Sequence, residues 1–301
     1  MKNKTCIVIV GPTAVGKTSF AIEAARHFET DIVSADSRQC YVELNIGVAK
    51  PSPEQLRQVK HYFVNSHSIH QEVNAKLFEE YALRALDEIF LSHDTAVVTG
   101  GTGLYVKALC EGLDEFPETD PVVRKKIADS FQNNGLPWLQ KEIEALDPVF
   151  FNNGEIQNPQ RMMRALEVKL STGKSIFEFH LHAKKMRNFS IVKTGLEMPR
   201  QQLYQQINAR VDAMMDQGLL DEAKSLYPDK NINALRTVGY KELFEYIDGK
   251  DPLDVAVNLI KTNTRKFAKR QLTWFRRDQE INWLDTRPAG LKLLLKLLEL
   301  K

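Results

Sequence analysis

Short apolar runs alternate with stretches of helical periodicity along the first third of the chain. The runs Thr5–Val10, Asp31–Ser34 and Thr95–Val98 predict buried strands, with room for another between Gln58 and Asn65. Apolar residues recur every three or four positions from Lys17 to about Phe28, and most strongly over Asn74–Ser92. This alternation is typical of a parallel sheet covered by helices.

The pattern changes near Glu111. From Asp120 to about Leu181 the chain is polar, shows helical periodicity without a good strand, and is punctuated by Pro117, Pro121, Pro137, Pro148 and Pro159. A strand pattern returns over Ser190–Leu196, a long helix follows over Arg200–Gln217, and Leu291–Leu300 reads as an amphipathic terminal helix. We therefore predict an α/β fold in which residues 1–115 and 190–301 form one sheet domain and residues 116–189 form an inserted all-helical domain.

Composition limits the function classes. The chain has 301 residues, of which 43% are hydrophobic and 27% charged, and this composition is ordinary for a globular protein. Because the net charge is only +2, any surface that binds nucleic acid must be a local patch of positive charge. Cys6, Cys40 and Cys110 lack metal-ligand spacing and do not suggest a disulfide framework, which fits a reducing cytoplasm. No apolar stretch has the ~20 residues that a membrane span needs, and the start of the chain lacks a signal peptide's apolar region.

A complete phosphate-binding loop directly follows the first predicted strand. Its residues are Gly11, Pro12, Thr13, Ala14, Val15, Gly16, Lys17 and Thr18. In this motif the backbone N–H groups and the start of the next helix cradle phosphates, the lysine reaches the outer phosphates and the hydroxyl helps to hold Mg²⁺. The sheet domain is therefore expected to be P-loop NTPase-like, but the loop does not reveal which phosphate compound it holds.

Two more polar segments follow predicted strands and are expected at the same edge of the sheet. These are Ser34–Gln39 and Gly100–Gly103, since ligands of open parallel sheets bind at the carboxyl ends of the strands. Asp36 is the carboxylate best placed to face the phosphate loop, where it would ligate Mg²⁺ or act as a general base; taken alone it also fits a helix N-cap or a turn. Thr102 could offer a hydroxyl to a ligand, although such a residue is more often part of a turn.

Beyond the phosphate loop, the chain resembles the tRNA dimethylallyltransferases through a series of blocks in order. The blocks after the loop begin at Asp36, Gly47, Gly100, Asp120, Asn158, Arg236 and Arg265, and read DSRQCY, GVAKP, GGTGLY, DPVVR, NPQRMMRALE, RTVGYKE and RKFAKRQLTWFR. Each block is short, but their ordered sum spans nearly the whole chain and is specific.

The resemblance implies prenyl transfer. Members of this family move a dimethylallyl group from dimethylallyl diphosphate to the exocyclic N6 amine of the adenosine immediately 3′ of a tRNA anticodon, so the loop would hold a departing diphosphate and ATP need not take part. Asp36 would accept the amine proton, while Lys17, Arg124 and Mg²⁺ held by Thr18 would stabilise the diphosphate. Thr102 would donate to the bridging oxygen. Arg124 lies in the inserted domain, which is expected to close over the donor.

The resemblance also implies three RNA-facing segments. They are Asp36, Ser37, Arg38 and Gln39; Gln160, Arg161, Met162, Met163 and Arg164; and Arg236, Thr237, Val238, Gly239, Tyr240 and Lys241. Lys261, Arg265 and Lys269 share helical spacing, which predicts a basic stripe that faces either solvent or the phosphate backbone. Phe267 stands where the family pattern has a tyrosine.

Three alternatives remain open from sequence. The first is a P-loop kinase for a small molecule or nucleotide, and the second is a prenyltransferase for free adenine nucleotides. The third is a non-catalytic RNA-binding module. The long C-terminal half with its basic run disfavours the first two, and the intact Lys17, Asp36 and Thr102 disfavour the third. We expect a monomeric cytoplasmic enzyme without a membrane segment.

Overall fold

A computed structural model describes residues 4–180, 184–285 and 290–299. The chain separates into two compact units, one formed by Met1–Cys110 with Met186–Lys301 and the other by Glu111–Lys185. The sequence-based division put these boundaries at 116 and 189. The ends of two predicted elements, Leu181 and Leu300, lie outside the described residues.

The first unit is built on a parallel sheet, as the sequence predicts. Its six strands lie in the order β3-β2-β4-β1-β5-β6, and every pairing is parallel. The strands are β1 (Thr5–Val10), β2 (Ile32–Ser34), β3 (His61–Tyr62), β4 (Thr95–Gly100), β5 (Ser190–Glu197) and β6 (Asn282–Asp285). The edge strand β6 was not predicted.

Helices cover both faces of this sheet and form the second unit. In chain order they are α1 (Lys17–His27), α2 (Pro53–Gln58), α3 (Ala75–Ser92), α4 (Gly103–Glu111), α5 (Pro121–Leu146), α6 (Pro148–Asn153), α7 (Pro159–Thr172), α8 (Arg200–Asp216), α9 (Leu219–Leu226), α10 (Tyr240–Ile247), α11 (Leu253–Phe275) and α12 (Gly290–Glu299). None of the described helices is long and apolar enough to cross a membrane.

The central strand β1 shows why the sheet is covered on both sides. All its residues from Cys6 to Val10 are buried, and they alternate between two hydrophobic clusters. Ile7 and Ile9 pack with α1, whereas Val8 and Val10 pack on the side of α3. A strand buried on both faces reads as a continuous apolar run, and this is the pattern that made β1 predictable.

The second unit is helical, and its prolines begin helices. Pro121, Pro148 and Pro159 each occupy the first turn of a helix, after an Asp or Asn side chain that accepts a backbone N–H. A proline costs nothing there because its missing N–H has no partner within the helix. Pro137 lies inside α5, next to a kink at Gly135, where φ is +69°. The helices of this unit pack around a separate apolar core.

Candidate active site

The phosphate loop joins β1 to α1 in a fixed conformation. Gly16 directly precedes the helix at φ +96°, in the left-handed region that favours glycine. At Gly11, where φ is +147°, a side chain would meet the Leu196 carbonyl oxygen at 2.6 Å, so β5 lies against the loop. Lys17 begins α1 and donates from Nζ to the Pro12 carbonyl at 2.8 Å. The start of α1, where backbone N–H groups point outward, is thus presented to a phosphate.

The loops after β2 and β4 are tied together beside the phosphate loop. The Thr102 hydroxyl accepts the Ser37 N–H at 3.0 Å and lies 3.3 Å from the Ser37 hydroxyl. Asp36 Oδ1 accepts the N–H groups of Arg38 and Gln39 at 2.9 and 3.3 Å. Asp36 thus forms the turn that the sequence allowed as an alternative, and it keeps its second carboxylate oxygen for other contacts.

One cavity of about 930 Å³ gathers these loops. The predicted residues that line it are Thr13, Ala14, Gly16, Lys17, Thr18, Asp36, Ser37, Arg38, Gln39, Thr102, Arg236, Thr237, Val238, Gly239 and Lys241. Gly11, Pro12 and Val15 are buried and do not line the cavity. Apolar side chains of α8 and its surroundings, among them Ile207, Met214 and Leu219, line it as well. The cavity therefore combines a phosphate cradle, a carboxylate and an apolar wall.

Tyr240 does not fit its predicted role. Its side chain is fully buried, and its hydroxyl donates to Glu222 at 2.6 Å. Glu222 also accepts the N–H groups of Ile46 and Gly47, so the pair fixes the loop that begins at Gly47. Tyr240 supports the cavity wall from behind rather than contacting a ligand.

Buried charge defines the electrostatics of the site. Burial lowers the pKa of Lys17 to about 8, which the Asp36 carboxylate opposes and the Arg210 guanidinium adds to. Burial likewise lowers the pKa of Arg210, against the effect of Asp36. Two cations held in a desolvated pocket with one carboxylate favour an arriving polyanion.

Sequence reasoning missed two polar residues of the cavity. Arg210 on α8 donates to the Thr13 hydroxyl at 3.2 Å, and Gln271 on α11 is 6% exposed and accepts the Thr13 N–H at 2.8 Å. Neither belongs to a motif with a mechanism of its own. The available signal was weak: each is a polar residue within a helix, and most of its neighbours three or four positions away are apolar.

The residues around Thr18 fit a magnesium ion that takes most of its ligands from phosphate oxygens and few from the protein. Thr18 lines the cavity at the start of α1, and Asp36 lines it from the facing loop. Among the described residues, no group of three or more His, Cys, Asp or Glu side chains could hold a metal on its own. Mg²⁺ commonly takes one or two protein ligands together with substrate phosphates and water, and Thr18 and Asp36 are compatible with such a coordination.

In the helical unit, one carboxylate joins two of the predicted residues. Glu167, 8% exposed, accepts from Arg124 Nε at 3.3 Å and from Arg164 Nη1 at 3.2 Å. Gln160 and Arg161 are exposed. Met162 is fully buried in the apolar core of this unit, and Met163 packs against that core. The predicted direct contact of Met162 with RNA is therefore wrong for this conformation, because the side chain has no exposed surface.

The predicted basic stripe is also wrong in its orientation. Lys261 pairs with Asp212 at 2.5 Å, and Arg265 donates to Asn208 at 2.6 Å, so both side chains bind α8. The exposed basic residues of this region are Lys266, Lys269, Arg270, Arg276 and Arg277. The exposed Phe267 and Arg270 both line the cavity, and the Arg270 guanidinium carbon lies 5.7 Å from the centroid of the Phe267 ring.

Comparisons with known proteins show the family to which the chain belongs. The family model described as IPP transferase matches residues 39–278. The chain is 48% identical over 279 residues to a tRNA dimethylallyltransferase of Christiangramia forsetii, covering 93% of this chain and 92% of that protein. It is 46% identical over 288 residues to the tRNA dimethylallyltransferase of Flavobacterium johnsoniae, covering 94% and 93%.

Solved structures give the same result. The tRNA isopentenylpyrophosphate transferase of Bacillus halodurans matches with a TM-score of 0.72 and 31% identity, over 98% of this chain and 96% of that one. A eukaryotic dimethylallyltransferase acting on tRNA matches with a TM-score of 0.75 and 25% identity, over 94% and 74%. The α/β fold and the resemblance found in the sequence are thereby confirmed, and the chain belongs to the IPP transferase family.

Proposed function

We propose that this protein transfers a dimethylallyl group from dimethylallyl diphosphate to the exocyclic N6 amine of the adenosine immediately 3′ of the anticodon in tRNA. The observation that carries the proposal is the single cavity in which Lys17 and Thr18 of the phosphate loop meet Asp36 and Thr102. The names of the relatives support the same reaction. The cavity supplies both of its halves, a grip on the leaving group and a base for the nucleophile.

The phosphate loop would hold the diphosphate as it leaves. The bond from the donor's first carbon to the bridging oxygen breaks, its electron pair goes to the diphosphate, and negative charge grows on phosphate oxygens. Lys17 and Arg210 are cations in the same cavity, and the N–H groups at the start of α1 add fixed dipoles. Preorganised cations and donors stabilise such charge because they need no rearrangement during the reaction.

Thr102 would act on the bond that breaks, and Asp36 on the amine that forms the new bond. The amine nitrogen bonds to the donor carbon and must lose a proton, and Asp36 is the carboxylate on the cavity wall that can take it. With Oδ1 committed to the turn at Arg38 and Gln39, the proton goes to Oδ2. Thr102 would turn its hydroxyl proton from the Ser37 hydroxyl to the bridging oxygen. The hydrogen bonds from Ser37 N–H to Thr102 and from Arg38 N–H to Asp36 would still hold the loop in place.

The adenine would enter the cavity unstacked. Enzymes that modify a base generally draw it out of its stack, and single-stranded loops such as the anticodon loop make this easiest. Arg236 and Lys241 are exposed and line the cavity with Arg38 and Gln39, and these donors suit an RNA loop. Gln160, Arg161, Arg164 and Arg124 of the helical unit are further candidates for RNA or diphosphate contact.

We further propose that Mg²⁺ bound by Thr18 and the diphosphate supports the reaction by neutralising charge on the leaving group. Because the proposed acceptor is tRNA, we expect the protein to act in the cytoplasm. We expect a monomer, since the proposed chemistry is complete within the residues of one chain.

The decisive experiment separates carbon transfer from phosphoryl transfer. Purified protein is incubated with unmodified tRNA, Mg²⁺ and dimethylallyl diphosphate labelled in the prenyl group, without ATP. We expect labelled tRNA, with the modified nucleoside found beside the anticodon after digestion. Unlabelled tRNA, together with transfer of the γ-phosphate of ATP to a small molecule in a parallel incubation, would replace this proposal with a kinase.

A further inference from the structure

Gln271 joins two loops of the cavity through the two ends of one side-chain amide. Its Oε1 accepts the Thr13 N–H of the phosphate loop at 2.8 Å, and its Nε2 donates to the Gly101 carbonyl at 3.0 Å. These partners fix the orientation of the amide, since an N–H needs an acceptor and a carbonyl needs a donor. One buried side chain therefore spans the diphosphate cradle and the turn next to Thr102.

The chemistry of the bridge requires an amide. Glutamate at position 271 would still accept from Thr13 but could not donate to Gly101, while lysine or arginine would do the reverse. Asparagine carries both groups but is one methylene shorter. Gln271 is also buried, so a partner left without its hydrogen bond would find no water in exchange.

The surroundings also require that the bridge be uncharged. A Cβ built on Gly101 would lie 2.2 Å from Gln271 Nε2 and 3.8 Å from Lys17 Nζ, so the amide and the ammonium both lie close to Gly101. A carboxylate in place of the amide would give Lys17 a permanent anionic partner. It would compete with the diphosphate for that cation, and it would repel the diphosphate directly.

We propose that Gln271 is a positioning residue for the transfer reaction, whose neutral amide sets the phosphate loop and the Thr102 loop in the relative position that the reaction needs. The proposal rests on the function proposed above. Because Gln271 belongs to α11, the same helix that carries exposed Lys266, Lys269 and Arg270, the bridge also connects a basic surface to the diphosphate cradle.

Glycine at position 101 is independent support for this close approach. Any side chain there would occupy the place of the Gln271 amide nitrogen, 2.2 Å away. The loop backbone comes this near to α11 because the hydrogen bond holds it there. Gly101 and Gln271 should therefore be energetically coupled.

The first test compares Gln271→Met, Gln271→Glu and the matched surface change Gln279→Glu. We expect Q271M to lose about 10- to 100-fold in kcat, the usual cost of a small misalignment at a reacting centre. Its Kd for inorganic diphosphate, measured by calorimetry, should stay within about threefold because the donors of the phosphate loop are intact. Q271E should lose kcat and weaken diphosphate binding by about tenfold or more. Q279E should resemble the wild type in both.

Two results of this comparison would overturn the proposal. One is a Q271M protein with wild-type kcat. The other is a Q271E protein that binds diphosphate as tightly as Q271M does, because the argument for a neutral bridge would then fail. If wild-type protein transfers no prenyl group to tRNA, the proposed function fails instead, and the diphosphate measurements still decide whether charge at position 271 matters.

The second test is a double-mutant cycle on stability, with Gly101→Ala, Gln271→Ala and the double variant. G101A alone should be destabilised, because its methyl group would push the end of the Gln271 side chain out of the bridge, whereas the same change in the Q271A background should cost less. Chemical unfolding of the four proteins measures the coupling. Additive effects would show that the two positions do not hold each other, and would overturn the bridge.

Discussion

Lys17 Nζ donates a hydrogen bond to the Pro12 carbonyl at 2.8 Å, so the ammonium is held against its own loop by a neutral acceptor. A neutral partner orients the ammonium without cancelling its charge. Burial makes that charge costly, and the pKa of Lys17 is lowered to about 8. A bound diphosphate would stabilise the Lys17 ammonium by supplying the negative charge that the loop itself does not provide.

Diphosphate binding should therefore weaken above pH 8. The protonated form of Lys17 binds the anion, and the free protein loses that proton as the pH rises through about 8. Below this pH the affinity should be nearly constant with respect to Lys17, and above it the Kd should rise by up to about tenfold per pH unit. Calorimetry with inorganic diphosphate from about pH 6.5 to about 9.5 tests this pH dependence.

Lys17→Arg is the control for that titration, because an arginine keeps its charge throughout the range and the ionisation of diphosphate itself affects both proteins alike. The difference between the two curves isolates Lys17. Parallel curves for wild type and K17R would mean that Lys17 does not titrate near pH 8 or does not meet the diphosphate.

Asp36→Asn should separate proton transfer from loop structure. The asparagine oxygen can still accept the N–H groups of Arg38 and Gln39, so the turn is kept, but the base is lost. We expect kcat to fall by about 10²- to 10⁴-fold. Diphosphate should bind as tightly as in the wild type or more tightly, since one negative charge leaves the cavity. Asp36→Ala should additionally lose the turn; a D36N protein with near-normal kcat would remove Asp36 from its role as base.

Arg210 should matter to the donor more than to the tRNA. It donates to the Thr13 hydroxyl at 3.2 Å from a half-buried position on α8, which places a guanidinium at the phosphate loop. Arg210→Ala should reduce kcat/KM for dimethylallyl diphosphate by about 10²- to 10³-fold, with Arg210→Lys in between, because lysine keeps the charge but not the paired donors. Arg200→Ala, an exposed change at the start of the same helix, is the control. Equal effects of R210A and R200A on kcat/KM for dimethylallyl diphosphate would contradict this assignment.

Arg210 and Gln271 illustrate where prediction from the sequence ended. The strands β1 and β4 were predictable because burial on both faces leaves a run of apolar residues, and the phosphate loop because its chemistry depends on neighbouring residues. Arg210 and Gln271 both act through contacts with Thr13, which lies 197 and 258 positions earlier in the chain. No local pattern records such a contact.

The edge strand β6 was missed and the basic stripe was predicted with the wrong orientation, for different physical reasons. The strand β6 has only the residues Asn282–Asp285, whose mixed polarity suits a sheet edge and resembles a loop. For the stripe, spacing places Lys261 and Arg265 on one face of α11 but cannot show that α8 supplies Asp212 and Asn208 opposite them. Helical periodicity gives a face, and only packing shows what lies against it.

Glu167 should control two predicted functional arginines at once. Its carboxylate accepts from Arg124 and Arg164, and the side chains of Glu167, Arg124 and Arg164 are 10%, 51% and 34% exposed. Glu167→Gln removes the negative charge that orients both arginines. We expect the free energy of unfolding to fall by about 1–3 kcal/mol, because the weakened hydrogen bonds involve the buried Glu167 side chain. If Arg124 and Arg164 serve the reaction, kcat/KM for tRNA should fall in E167Q and fall no further when Arg124→Ala is added, because the two changes disable one unit. Glu144→Gln, an exposed change on α5, is the control for the loss of a negative charge. Additive losses in the double variant would show that Glu167 stabilises the helical unit without positioning Arg124.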